Sequence, residues 1–319
     1  MKLIRTLGLA AFTALATVGS GITHAQQQFV TVLTGGTSGV YYPLGVALSK
    51  VYGDALPSAR VSVQSTKASA ENLNLLQAGR GEVAFALGDS VSAAWNGVEE
   101  AGFKSKLDKL RGLAGIYNNY IQIVAAADSG IRSLADLKGK RVSVGAARSG
   151  TELNARAIFK GAGMSYEDLA KVEYLPFGES VELIKNRQLD ATLQSAGLGV
   201  ASIRDLANAL NITVIPVPAE VVASIGDTAY QPSVIPANTY QGQAEDVPTV
   251  AIRNILVTHA EVPDEVVYAK TKSMFENLDQ LVSAHAAARG IQAEGAADNL
   301  PLPLHPGAER YYREAGLLN

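Results

Sequence analysis

The chain has 319 residues, which at roughly 150 per domain predicts about two domains. Hydrophobic residues make up 47% and charged residues 18%, a globular balance that excludes a disordered or collagen-like chain. There is no Cys, so disulfides, thiolate catalysis and Cys-based zinc sites are excluded, and 27 basic against 30 acidic residues, a net charge of −3, give no footprint for nucleic acid.

Residues 1–25 read as a secretory signal peptide. Lys2 and Arg5 supply the positive start, 7–18 is apolar and uncharged, and Thr23-His24-Ala25 is a small-x-Ala cleavage site. The apolar run is shorter than the roughly 20 residues a membrane anchor needs. The expected product is an exported, unacylated, periplasmic protein with 25 basic against 30 acidic residues.

Strand and helix patterns then alternate. A strand at 29–33 ends in a Gly-rich loop, and a helical pattern covers 40–52. A strand at 60–65, a helix at 70–77 and a strand at 83–87 follow. The order restarts with a short helix at 134–137 and a strand at 141–144. It continues with a helix at 151–160, a strand at 172–175, a helix at 181–186 and a strand at 191–194. Each βαβαβ unit predicts a mostly parallel sheet flanked by helices. The stretch 74–85 also parallels 182–193: helix end, polar turn, acidic residue, strand.

Two longer apolar stretches, 111–127 and 250–258, read as strands crossing between the halves. The expected organisation is lobe 1 at 26–120 plus 251–319 and lobe 2 at 121–250. Hinge strands would lie near 118–127 and 249–257, and the helical C-terminal part would return to lobe 1. Such a clamshell closes on a ligand.

Candidate contacts lie on the loops between strands and helices, where open α/β sheets bind ligands. In the first loop, glycines permit close approach, Thr37 and Ser38 offer hydroxyls, the amides after Gly39 favour an anion, and Tyr41 and Tyr42 would wall a cleft. The loop does not have the spacing of a dinucleotide fingerprint. The second loop offers Ser65 and Lys67, with Ser69 as an ordinary cap. In the third, Asp89 reads as a cap before it reads as a contact. In the second half, 145–151 has the frame of a P-loop without its Lys, and Ser149 to Glu152 fits a capping box. Capping does not account for Arg148, whose guanidinium beside a helix start suits a carboxylate. Thr192, Gln194 and Ser195 end a strand that would face the same cleft.

Catalytic patterns are scarce. The four His are not at metal-ligand spacing, and no metalloprotease, nucleophile-elbow or Ser-x-x-Lys motif occurs. His305, before Pro306-Gly307, is expected to order a turn. No cofactor or metal is expected.

Several segments, in this order, resemble the TAXI-type solute-binding proteins of tripartite ATP-independent periplasmic (TRAP) transporters. They are Thr34-Gly-Gly-Thr-Ser-Gly-Val-Tyr-Tyr-Pro-Leu-Gly, the run from Asp128 to Gly145, Ser149-Gly-Thr-Glu, Pro176-Phe-Gly-Glu-Ser, and His305-Pro-Gly-Ala-Glu-Arg-Tyr-Tyr-Arg-Glu-Ala-Gly. The resemblance covers essentially the whole exported chain. It implies an α/β, two-lobed periplasmic-binding-protein fold (Venus flytrap, type II-like) with no chemistry of its own. It implies a small carboxylate ligand such as glutamate or 2-oxoglutarate, delivered to a TRAP-type permease. The positions matching the family are Thr37, Gly39 and Tyr41; Ser65, Ala68 and Asn72; Asp89 and Ser90; and Ser149, Gly150 and Thr151. Arg148 and Gln194 depart from the family pattern, which leaves the ligand open. The protein is expected to be a monomer. The alternatives are a ligand sensor for a receptor kinase, or a hydrolase using Ser149 or Ser65.

Overall fold

The computed structural model describes residues 28–318. The signal-peptide reading lies outside them. In chain order the first half comprises β1 (Gln28–Leu33), α1 (Tyr41–Ala55), β2 (Ala59–Gln64), α2 (Ser69–Gln77), β3 (Val83–Leu87) and α3 (Gly88–Asn96). The long strand β4 (Leu110–Ala126) leads to β5 (Arg141–Ser143), α4 (Gly150–Gly161), β6 (Lys171–Glu173), α5 (Phe177–Lys185) and β7 (Ala191–Ala196). Then come α6 (Ala201–Ala209), β8 (Ile212–Ile215), α7 (Ala219–Ile225), β9 (Gln231–Ile235) and the second long strand, β10 (Val247–His259). Helices α8 (Asp264–Glu276), α9 (Leu278–Ala284) and α10 (Pro306–Glu314) close the chain.

The main sheet path runs β2-β1-β3-β10-β4-β7-β5-β6. The β2-β1-β3 and β6-β5-β7 groups are parallel, and the long strands enter antiparallel between them. Burial follows position. The inner strand β3 is buried at all five residues, Val-Ala-Phe-Ala-Leu, while the edge strand β2 alternates half-buried and exposed. The long strands pair from Leu110–His259 to Tyr120–Ala251. Leu87 to Ala84 of β3 flank one end of β10, and β7 flanks the far end of β4. Two strands therefore span both halves. One apolar core, with Ile123, Val142, Ile158 and Phe159, fills the second half; another, with Leu33, Leu73, Phe103 and Leu110, lies under α2 and α3. Helices α8 and α9 pack on α1, and Tyr312 of α10 donates to the Leu113 carbonyl at 2.8 Å.

The internal parallel between 74–85 and 182–193 has a structural counterpart. Gly79 and Arg187, equivalent in the two stretches, both adopt positive φ, +67° and +59°. The next amides close the same turn: Arg80 N to Leu75 O and Gln188 N to Leu183 O, each 2.8 Å. Both are left-handed helix ends.

Candidate functional site

Helices α1 to α5 each follow a strand of a parallel group, so their N-termini all rise from the C-terminal edges of those strands. The N-cap residues are Val40, Ala68, Leu87, Ser149 and Pro176. All five line one cavity of about 180 Å³. That size is close to an engineered cavity of about 150 Å³ that admits benzene, so a small organic molecule fits and a nucleotide does not. Among the five, only Ser149 caps with its side chain, accepting from Glu152 N at 3.1 Å. The helix starts thus bring backbone N–H groups and positive dipole ends to one space.

Tyr41, Phe177, Val40, Leu87 and Pro176 supply apolar walls, and Lys67 is the one charged residue among the described residues lining the cavity. Ser195 also lines it. Its hydroxyl is buried and has no partner among the described residues. The Tyr41 ring stacks on Phe85 at 5.0 Å between centroids, and burial pushes its phenol up, keeping it a protonated donor. That hydroxyl donates to Asn254 Oδ1 at 2.5 Å. Asn254 Nδ2 donates to Asn119 Oδ1 at 2.8 Å, and Asn119 Nδ2 to Ser195 O at 2.9 Å. A buried polar ladder therefore crosses both long strands at the cavity.

The halves meet closely around the space. A Cβ built on Gly150 would lie 2.5 Å from Ser69 Oγ and 2.7 Å from Leu87 Cδ1. The start of α4 is thus seated against the starts of α2 and α3, and only Gly fits there. Beside this contact, Asp89 Oδ2 accepts from Asn154 Nδ2 and from the Tyr230 hydroxyl, each at 2.7 Å. Burial lifts the Asp89 carboxyl from 3.8 to about 6, against the opposing hydrogen bonds from Tyr230 and Ser90.

Of the residues singled out from the sequence, Gly39, Tyr41, Ser65, Ala68, Ser149 and Thr151 line the cavity. So do Lys67, Ser69 and Ser195, while the remaining ones stand elsewhere. Thr37 is exposed at the loop tip, and Tyr42 is half-buried in the first turn of α1 without reaching the lining. Asn72 is spent on the scaffold, donating to the carbonyls of Thr34 (2.7 Å) and Phe85 (2.9 Å). Asp89 and its neighbour Ser90 serve the contact to α4, and Gly150 provides the close approach. Gln194 points away under α6, accepting from Ser202 Oγ at 2.6 Å, because alternate residues of a strand face opposite sides. Arg148 is exposed, with φ of +61°, in the turn before α4 and outside the lining. The capping box is half present, since Glu152 pairs with Arg156 at 2.6 Å rather than returning to Ser149. His305 does order its turn, accepting from Gly307 N at 3.2 Å.

Sequence reasoning missed Asn119 and Phe177 as lining residues. Asn119 had a signal, a polar residue breaking an apolar strand. Phe177 had a weaker one, an aromatic directly after Pro at a helix start.

Residues 32–316 match the NMT1-like family. The chain belongs to the NMT1-like family. The family match includes all five helix starts and both long strands. A solved protein from Bordetella bronchiseptica RB50 is similar at TM-score 0.57 and 13% identity, over 90% of this chain and 98% of that one. The binding protein component of an ABC phosphonate transporter from Pseudomonas aeruginosa is similar at TM-score 0.53 and 11% identity, over 84% of this chain and 81% of that one. These likenesses identify this NMT1-like chain as having the α/β periplasmic-binding-protein fold, a mixed sheet with flanking helices. Among the described residues, no helix is long and apolar enough to cross a membrane, and no acidic, His or Cys cluster could hold a metal ion.

Proposed function

We propose that this protein is a periplasmic solute-binding receptor that captures a small carboxylate between two lobes and delivers it to a membrane transporter. The observation that carries this reading is the convergence of five helix N-termini, from both halves of the chain, on one small cavity where Lys67 is the one charged residue among the described residues in the lining. Amides, dipole ends and one cation favour an anion. The lobes are 26–120 plus 251–319 and 121–250, hinged on β4 and β10. Ligand contacts made from both lobes favour the closed state by differential binding.

The segment order that resembles TAXI-type proteins supports a TRAP-type permease as the receiver. The fold neighbour named as an ABC transporter component supports a transporter in general, because fold alone does not choose the permease. A binding role also accords with the serines. Ser149 is occupied in capping and Ser65 donates to the Gly35 carbonyl at 2.8 Å, while none of the described histidines lines the cavity.

The test is a thermal-shift screen of the chain after unfolding and refolding to strip carried ligand. The panel holds carboxylates, sugars, polyamines and phosphate. A saturable rise in Tm with a carboxylate is expected. A rise with a sugar or polyamine alone would contradict the reading.

A further inference from the structure

The lining sets requirements beyond negative charge. An amino acid brings an ammonium group, which in a closed cleft needs a carboxylate or several acceptors. Among the described residues, no Asp or Glu lines the cavity. The nearby buried carboxylate, Asp89, stands outside the lining, and its oxygens are already taken by Ser90 N, Asn154 and Tyr230. The helix starts also present positive dipole ends, which repel a second cation beside Lys67. A ligand with two carboxylates meets the opposite difficulty. Its second charge would leave water against Tyr41, Leu87 and Phe177, with no second cation among the described residues lining the space. The buried, unpartnered Ser195 hydroxyl gives the cavity one further neutral hydrogen-bonding group.

Resting on the anion-binding reading above, we infer that the ligand is a short monocarboxylate with an apolar body and no ammonium group. The acid end lies at the helix starts and the body packs on the aromatic and aliphatic wall.

The test is calorimetric titration of the stripped, full-length exported chain with pentanoate, 2-aminopentanoate and glutarate. Pentanoate is expected to bind at least tenfold more tightly than either of the others. Equal or tighter binding of 2-aminopentanoate or glutarate overturns the inference while leaving the anion reading intact. Binding by none of the three acids overturns both. Across acetate, propanoate, butanoate and pentanoate, each methylene is expected to tighten binding by about fourfold. Phe177→Ala, at a half-buried position on the cavity wall, is expected to flatten that series. An unflattened series would remove the apolar wall from the recognition.

Discussion

Asn254 Nδ2 donates to Asn119 Oδ1 at 2.8 Å, tying the two long strands together beside the cavity. Both side chains are buried. Each is also committed elsewhere: Asn254 to the Tyr41 hydroxyl and the Tyr117 carbonyl, Asn119 to the Ser195 carbonyl. The pair links a cavity wall on α1 to strand β7 in the other half. It fixes the wall and the register of the hinge together.

Asn254→Leu strands the Tyr41 hydroxyl and the Asn119 carbonyl oxygen in an apolar setting. A loss of about 3 kcal/mol in unfolding free energy is expected, as for several buried groups left unpaired. Urea unfolding followed by far-UV circular dichroism measures it. A loss below about 0.5 kcal/mol, the level of ordinary surface substitutions, would mean that the ladder contributes nothing net.

Lys67→Ala removes the cavity's cation. Lys67 is exposed at the rim, so its pairing with an anion is partly screened, and a loss of roughly tenfold in affinity is expected, growing as salt is lowered. Arg148→Ala, outside the lining, is expected to change affinity less than twofold. Titrations of both variants at two salt concentrations decide it. The reverse ranking would return Arg148 to the site.

Gly150→Ala places a methyl group where Ser69 Oγ and Leu87 Cδ1 already sit. The ordinary φ of Gly150 means that no backbone strain accompanies the change. The variant is expected to fold, to bind at least tenfold more weakly, and to keep a larger radius of gyration than wild type in small-angle scattering at saturating ligand. Full compaction with ligand would show that this contact does not limit closure.

Asp89 gives a pH signature. Its folded carboxyl titrates at about 6 against an ordinary 3.8, so the folded state holds that proton more tightly than the unfolded chain. The stability this contributes is fully present below about pH 4 and is lost as pH rises through about 6. Asp89→Asn keeps the shape without the titration. Between pH 4 and 6.5, wild type is therefore expected to lose stability relative to the variant, on the order of 2 kcal/mol. Denaturant titrations across that range measure the difference. A difference independent of pH would mean that the group is not desolvated as described.

The strands and helices were legible where burial imposes a simple period. The uniformly apolar run of β3 and the alternation of β2 are read directly from residue order, and so are the glycine turns. Four of the five helix starts were placed within a few residues for the same reason; α5 begins at Phe177, earlier than its apolar pattern, because Pro176 pre-sets the entry. Which residues on those loops face the cavity was not legible. Arg148 and Lys67 are both basic residues beside helix starts, and the direction of the turn decides between them. Asn72 and Asp89 resemble ligand contacts in a sequence because scaffold bonds and ligand bonds use the same side chains. Gln194 and Ser195 differ only in strand face, which one residue of register determines.

The binding reading requires a carboxylate held among helix starts from both lobes. A crystal structure of the chain with the acid that raises its Tm most is the direct measurement. The account predicts one acid in the cavity, its carboxylate within hydrogen-bond distance of backbone N–H groups from α1 or α2 and from α4 or α5. An acid bound away from those helix starts, or held by one lobe alone, would contradict it.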